Sequence, residues 1–319
     1  MVDRGRLGPG WTAGLALAVL VCGSCGDDRR TTLYADGSPW SEGRFEDGRL
    51  HGLWTTWYED GTRKSEGRFE HGLLEGVWRT WYPNGGLQTE ITYRGDRQHG
   101  RALERYADGT PRFEGTYAGG RPDGLHTTWH EGGAVKTRGP YRAGRREGTW
   151  EYFFASGELE QRGSFREGLK QGEWSTWYES GRLMWRGRFE RGLQEGVLLT
   201  WHENGVQRSE GSFRADRKEG PWVTWYANGQ RETEGAYRNG VPEGPWTSWH
   251  PGGGVHQEGA FHAGREHGSW SYWYPGGQLQ QQGEYRDGLA EGRWRCWRED
   301  GSPWPEPSGL YAGGVKVAD

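Results

Sequence analysis

The sequence predicts an all-β fold, an elongated antiparallel β-meander of stacked 24-residue hairpins, and three observations carry that prediction. Eleven glycines from Gly52 to Gly292 fall 24 residues apart without an insertion. A second glycine ladder, Gly61 to Gly301, follows nine residues behind at the same period. Between the ladders lie stretches rich in Trp, Tyr and Thr, the residue types that favour strands. Self-similarity at a fixed period of this size marks an array in which each unit buries its apolar groups against its neighbours.

The stretch from Gly172 to Glu195, GEWSTWYESGRLMWRGRFERGLQE, serves as the type unit. Its third, sixth and seventh places carry Trp174, Trp177 and Tyr178. On a strand of period two the third and seventh places share a face and the sixth points the other way, so both faces carry rings. A turn follows at Gly181, preceded in other units by Asp or Asn, as in Asp60-Gly61 and Asn204-Gly205. Both residues of such a pair accept φ > 0, which predicts a tight hairpin turn.

The return strand ends in Gly187-Arg188-Phe189. The missing side chain of Gly187 predicts either room for a neighbouring ring or a bulge. A second turn at Gly192 leads to Gly196, the start of the next unit. Asp96 and Asp216 replace the turn glycine in two units, and Asp tolerates the left-handed conformation.

Composition fits this reading. Leu, Ile, Val and Phe are scarce, and 21 Trp and 15 Tyr take their place; each such ring buries about 150–250 Å². Net charge is −4, with 40 basic residues interspersed among 44 acidic ones, so no face reads as a polyanion footprint and nucleic acid is not an expected partner.

The N-terminus is of another kind. Arg4 and Arg6 precede an apolar run from Trp11 to Val21, too short to span a bilayer permanently, which reads as an export signal. Ser24-Cys25-Gly26 resembles a bacterial lipoprotein cleavage site, which implies a signal peptide over 1–24, lipid on Cys25 and a polar tether over 25–33. The repeat array is expected over 34–311 and a C-terminal tail over 312–319. With Cys25 lipidated, Cys296 is the one thiol in the repeats and makes no intramolecular bridge. Pro303, Pro305 and Pro307 read as protecting an exposed edge from recruiting another chain.

The combined pattern Phe-x-x-Gly-x-x-x-Gly-x-Trp-x-x-Trp-Tyr-x-[Asp/Asn]-Gly resembles the MORN repeat, in its bacterial YwqK-type antitoxin variant. The resemblance implies a meander of hairpins used as an interaction scaffold, with an antitoxin-like or immunity-like role. Where many eukaryotic units carry Gly-x-Gly, this chain has Gly76-Val77-Trp78 and Gly220-Pro221-Trp222, so lipid binding by the repeats does not carry over.

Catalytic chemistry finds no support. His130, His202 and His250 take the Tyr position, while His99 and His267 take the Glu position that ends the unit. Equivalent places lie two strands apart, about 9–10 Å, too far to share an ion, and His126 and His130 span about 13 Å on a strand. No metal or cofactor is therefore expected. The acidic row Glu75, Asp123, Glu147, Glu195, Glu219, Glu243 and Glu291 is equally dispersed and reads as turn-stabilising or solvated. Nucleophile and phosphate-loop motifs are missing from the sequence.

The reading is a non-enzymatic, envelope-anchored scaffold, exported and held in the outer membrane by its N-terminal lipid, whose face binds a protein. Glycan or peptidoglycan stacking on the aromatic rows is the alternative. Ala102, Arg105 and Leu198, which replace expected Trp, mark candidate bends or binding notches.

Overall fold

The computed structural model describes residues 18–21 and 28–319. Strand pairs are antiparallel, and no helix forms among the described residues. Contacts divide the chain into two units, residues 1–145 and 146–319, each an open meander in which sequential strands pair. The fold class is the one the sequence predicts: all-β, built of stacked 24-residue hairpins.

One repeat shows how the residues build it. The strand Leu169–Trp177 turns into Leu183–Glu190, which turns into Leu193–Trp201. At the first turn Tyr178 N–H donates to Arg182 O (2.8 Å) and Gly181 N–H to Tyr178 O (2.9 Å). Of this turn only the glycine is left-handed, at φ 78°. The expectation that Asp and Asn share the positive φ is therefore corrected. Their carboxylate or amide oxygen instead accepts the backbone N–H two residues on, as Asp60 does from Thr62 (2.8 Å) and Asn84 from Gly86 (3.0 Å). Asn84 also donates to Ala107 O in the next repeat (2.9 Å), so this turn chemistry ties hairpins together.

The second turn is the one with two left-handed residues, Arg191 at φ 50° and Gly192 at φ 86°, the type I′ arrangement. A non-glycine residue there costs about 1–3 kcal/mol. The acidic row offsets that cost: Glu195 accepts Ala215 N–H (3.0 Å), Glu219 accepts Asn239 N–H (2.8 Å) and Gln171 accepts Arg191 N–H (3.1 Å). Asp96 and Asp216 both sit at φ 64°, in the left-handed region their type tolerates. Gly192 N–H also reaches Lys170 O, 2.9 Å away, so each turn leans on the preceding repeat.

At the Gly-x-Phe glycine both sequence explanations hold together. Gly211 pairs with Trp222 and Ser212 with Glu219, so Gly220 and Pro221 bulge from the ladder. Gly220, at φ 75°, makes that bulge. The Trp222 ring then lies over Gly211, where a Cβ would meet it at 2.2 Å.

These rings are the core of a sheet one layer thick. In the second unit Phe213, Trp222, Tyr237, Trp246, Phe261, Trp270, Tyr285 and Trp294 follow one another edge to face at 4.9–6.2 Å between centroids. Such pairs contribute about 0.5–1.5 kcal/mol each beyond area burial.

Both expected ends are corrected. Arg29–Leu33, read as tether, is a strand paired with Pro39–Glu46; Arg29 bridges Glu42 at 2.6 Å and Arg30 lies 4.2 Å over the Phe45 ring. The segment occupies the grid place of a first strand, with Thr32 against Ser41 as Thr56 is against Ser65. The tail expected over 312–319 contains the strand Val315–Ala318, turned back on Gly309–Ala312 through Gly313 and Gly314 at φ 57° and 86°. The prolines at 303–307 precede this last hairpin instead of guarding an edge. The backbone of Ala18–Val21 pairs with Arg29–Leu33; the rest of the expected signal peptide, with Cys25, lies outside the described residues.

Candidate binding surface

The two faces of the sheet differ. On one, most third-place rings are closed off, Trp78 and Trp246 less so: Trp174 is 0% exposed, and its Nε1–H donates to Ser164 O at 3.1 Å. Lys170 Nζ sits 4.2 Å from the Trp174 ring and 4.8 Å from Phe189, and Lys218 covers Trp222 and Tyr237 in the same way at 4.2 and 4.6 Å. Burial pushes the Lys170 ammonium below its ordinary value. A ring covered by an ammonium on an aliphatic stem is not free to stack on a sugar.

On the other face the sixth-place indoles, among them Trp177, Trp201, Trp225, Trp249 and Trp273, are half-buried and reachable from solvent. Their backbone is held by the seventh place one repeat behind. Tyr178 Oη–H donates to Trp201 O at 2.9 Å, Tyr226 to Trp249 O at 2.8 Å and Tyr58 to Trp81 O at 2.8 Å.

His202 and His250 keep this bond through Nε2, to Trp225 O at 2.7 Å and Trp273 O at 2.8 Å. A carbonyl only accepts, so Nε2 carries the proton in both rings. His126, at a third place, imitates Trp: its Nε2 lies 2.8 Å from Thr116 O. These histidines are structural parts of the repeat. Beside them, burial first and His250 second lower the His256 pKa, with the two rings 4.5 Å apart.

The units that lack Trp are repacked, which corrects the reading of Ala102 and Leu198 as bends or notches. Ala102 is 2% exposed and pairs with Ile91, the residue at the place of the cradling glycine. Bulk has changed strands. At His126, Phe113 closes over Gly115 beside the imidazole. At Leu198, Trp185 comes within 3.4 Å of where a Gly187 Cβ would stand. Ile91 stands at the place of the return-strand glycine, and Phe113 and Trp185 stand two residues before theirs, a signal that shows only when neighbouring units are compared.

Leu198 does interrupt the ring ladder, and on the opposite face of the same repeat lies a shallow hollow of about 610 Å³. Val197 and Leu199 form its apolar part, and Glu173, Arg186 and Arg188 line it. The Arg186 guanidinium lies 6.0 Å over the Trp201 ring. At the grid place of Arg186 the next three repeats carry Glu210, Glu234 and Glu258, so the charge on this face changes sign at the hollow.

The other residues singled out in the type unit are scaffold. Phe189 packs edge-on to Trp174 and Trp185, both at 6.2 Å. Gly181 and Gly192 make the two turns, and Gly196, at φ 77°, makes the bulge opposite Gly187.

Five stretches, residues 50–71, 74–94, 146–167, 218–239 and 266–287, match the family model described as MORN repeat variant. These five stretches carry the MORN-variant pattern. No curated protein matches the chain. Among solved structures, the TcdB2-TccC3-TEV crystal structure is 11% identical over 90% of this chain and 20% of its own, with a TM-score of 0.19. The TcdB2-TccC3-Cdc42 crystal structure gives 11% over 90% and 20%, with a TM-score of 0.15. The Photorhabdus luminescens Tc holotoxin pore gives 12% over 91% and 19%, with a TM-score of 0.18. The chain thus spans about a fifth of these proteins, and superpositions this weak carry neither fold nor function across.

Proposed function

We propose that the MORN-variant array is a non-enzymatic scaffold that binds a protein partner through its half-exposed indole face, centred on the hollow of Glu173, Arg186, Arg188, Val197 and Leu199. The observation that carries this reading is the contrast between faces: one buries most of its rings, two of the indoles under lysines, while the other presents indoles and aliphatic residues beside side chains whose charge varies from repeat to repeat. Mixed aromatic, arginine and aliphatic surface is the composition of protein interfaces.

Export and lipidation at Cys25, with anchoring in the outer membrane, complete the proposal, as does an antitoxin-like or immunity-like role taken from the family resemblance. The test is capture of partners from an envelope extract, followed by affinity measurement with Arg186→Ala, Arg188→Ala and Val197→Ser. Graded losses support a protein interface. Indifference to these changes with loss only on Trp201→Ala and Trp225→Ala favours glycan stacking, the second reading. Radiolabelled palmitate entering the wild type but not Cys25→Ser tests the anchor.

A further inference from the structure

The exclusion of metal from grid-equivalent histidines does not reach His51 and His71, which stand at different places of the repeat. His51 lies in the strand Arg49–Trp57, at the place where other repeats carry the turn-stabilising Glu. His71 is the non-glycine left-handed residue of the turn it faces, at φ 49°. Repeat after repeat brings these two places together, as where Glu219 Oε2 accepts Asn239 N–H at 2.8 Å. In this one repeat of the array both are histidine.

Glu46, the last residue of the strand Pro39–Glu46, supplies a third donor. Its Oε2 lies 3.1 Å from His51 Nδ1 and 4.0 Å from His71 Nδ1, and donor atoms of all three residues fall within 4.8 Å of one another. The two imidazoles are 5.5 Å apart between centroids. His51 Nδ1 is shut off from solvent and makes no hydrogen bond, the Glu46 carboxylate being close but out of alignment. A ring nitrogen closed to solvent beside a carboxylate, with a second imidazole alongside, has a lone pair to offer a cation.

We propose that Glu46, His51 and His71 bind a divalent transition-metal ion, Zn²⁺ first. Two imidazoles and a carboxylate are a donor set of the borderline class that suits Zn²⁺, Cu²⁺ and Ni²⁺, and Zn–N and Zn–O bonds of about 2.0–2.2 Å place tetrahedral donors roughly 3.3 Å apart. The observed 3.1 and 4.0 Å bracket that spacing. Three protein ligands leave a coordination position for water or for a donor from a partner. The ion ties the turn at 71–72 to the end of the first complete strand pair, fastening the N-terminal repeats.

The same three grid places carry one carboxylate and two imidazoles once more, as His262, His267 and Asp287, with the His rings 5.8 Å apart. There His262 Nδ1 faces Glu243 at 3.4 Å, and among the described residues only the first trio brings its donors together.

The experiment titrates the whole protein with Zn²⁺ by calorimetry and with Co²⁺ by visible absorption, in wild type, His71→Ala and Glu46→Gln. His71→Ala keeps the fold, because Ala143, Ala215 and Ala263 occupy that turn place at φ 48–50°; circular dichroism verifies this. The expected result is that wild type binds one equivalent more than His71→Ala, with a tetrahedral Co²⁺ spectrum, that Glu46→Gln binds roughly tenfold more weakly, and that Zn²⁺ raises the wild-type melting temperature alone. Equal stoichiometry in wild type and His71→Ala, or no Zn²⁺ binding up to about 1 mM, overturns the proposal.

Discussion

The Trp174 indole lies so closely over Gly163 that a Cβ on the glycine would meet the ring at 2.1 Å. The pair is one contact of the array's core, and the Ile91–Ala102 pair is the same contact with its bulk reversed. Gly163→Ala therefore destabilises the second unit by about 1–3 kcal/mol through overpacking, and Trp174→Ala by about 3–5 kcal/mol through cavity formation. In the cycle of wild type, Gly163→Ile, Trp174→Ala and the double variant, the double costs less than the sum of its two singles. Urea denaturation of the four proteins measures the coupling.

The hydroxyl ladder yields a gain as well as a loss. Phe154 stands at the seventh place with no hydroxyl to offer the repeat ahead, where Tyr178 donates to Trp201 O at 2.9 Å. Phe154→Tyr stabilises by about 0.5–1.5 kcal/mol, and Tyr178→Phe costs a similar amount. Tyr226→His is near neutral because His202 and His250 already make the bond. Thermal melts of the three variants separate these outcomes.

Glu195 is part of a turn and not a solvated charge. Since its Oε2 accepts Ala215 N–H at 3.0 Å, Glu195→Ala costs about 1 kcal/mol. Glu195→Gln changes little, because Gln171 holds Arg191 N–H at 3.1 Å through an amide. Amide exchange at Ala215 accelerates in the alanine variant alone.

Acid weakens the turns. The backbone N–H of Thr62 holds the Asp60 carboxylate below its usual pKa, the backbone N–H of Ala263 does so for Glu243, and the Ser302 hydroxyl does so first for Asp300. A depressed folded pKa gives stability that is fully present above the unfolded value and is lost as pH falls through the folded one. These carboxylates accordingly contribute no change in melting temperature from neutral pH to about pH 5 and a loss below about pH 4.

Cys296 stays unreactive in the folded protein. Burial pushes its thiol up, while Ser308 and Lys316 pull less strongly the other way. At neutral pH iodoacetamide labels it far more slowly than it labels the urea-unfolded chain.

The period, the hairpins, the turn glycines and the room over the return-strand glycine were legible in the sequence. Each is a local demand, φ > 0 or a missing Cβ, repeated at a constant interval, and repetition turns a weak local signal into a strong one. The ends were misread because Arg29–Leu33 and Val315–Ala318 carry no aromatic residue and lie outside the two glycine ladders, so the repeat signal that marks the other strands is missing from them. The exchange of Ile91 for glycine against Ala102 for Trp escaped notice because each residue looks like a defect until its partner on the next strand is known.

By itself the sequence determined that this protein is a ladder of 24-residue hairpins with rings on both faces, since period and turn chemistry constrain the backbone wherever they occur. Only the tertiary structure decided which rings are core and which are surface, which nitrogen each repeat histidine protonates, and that Glu46, His51 and His71 converge. Those outcomes depend on side chains brought together from one repeat to the next, and register and bulges, not spacing along the chain, set their distances.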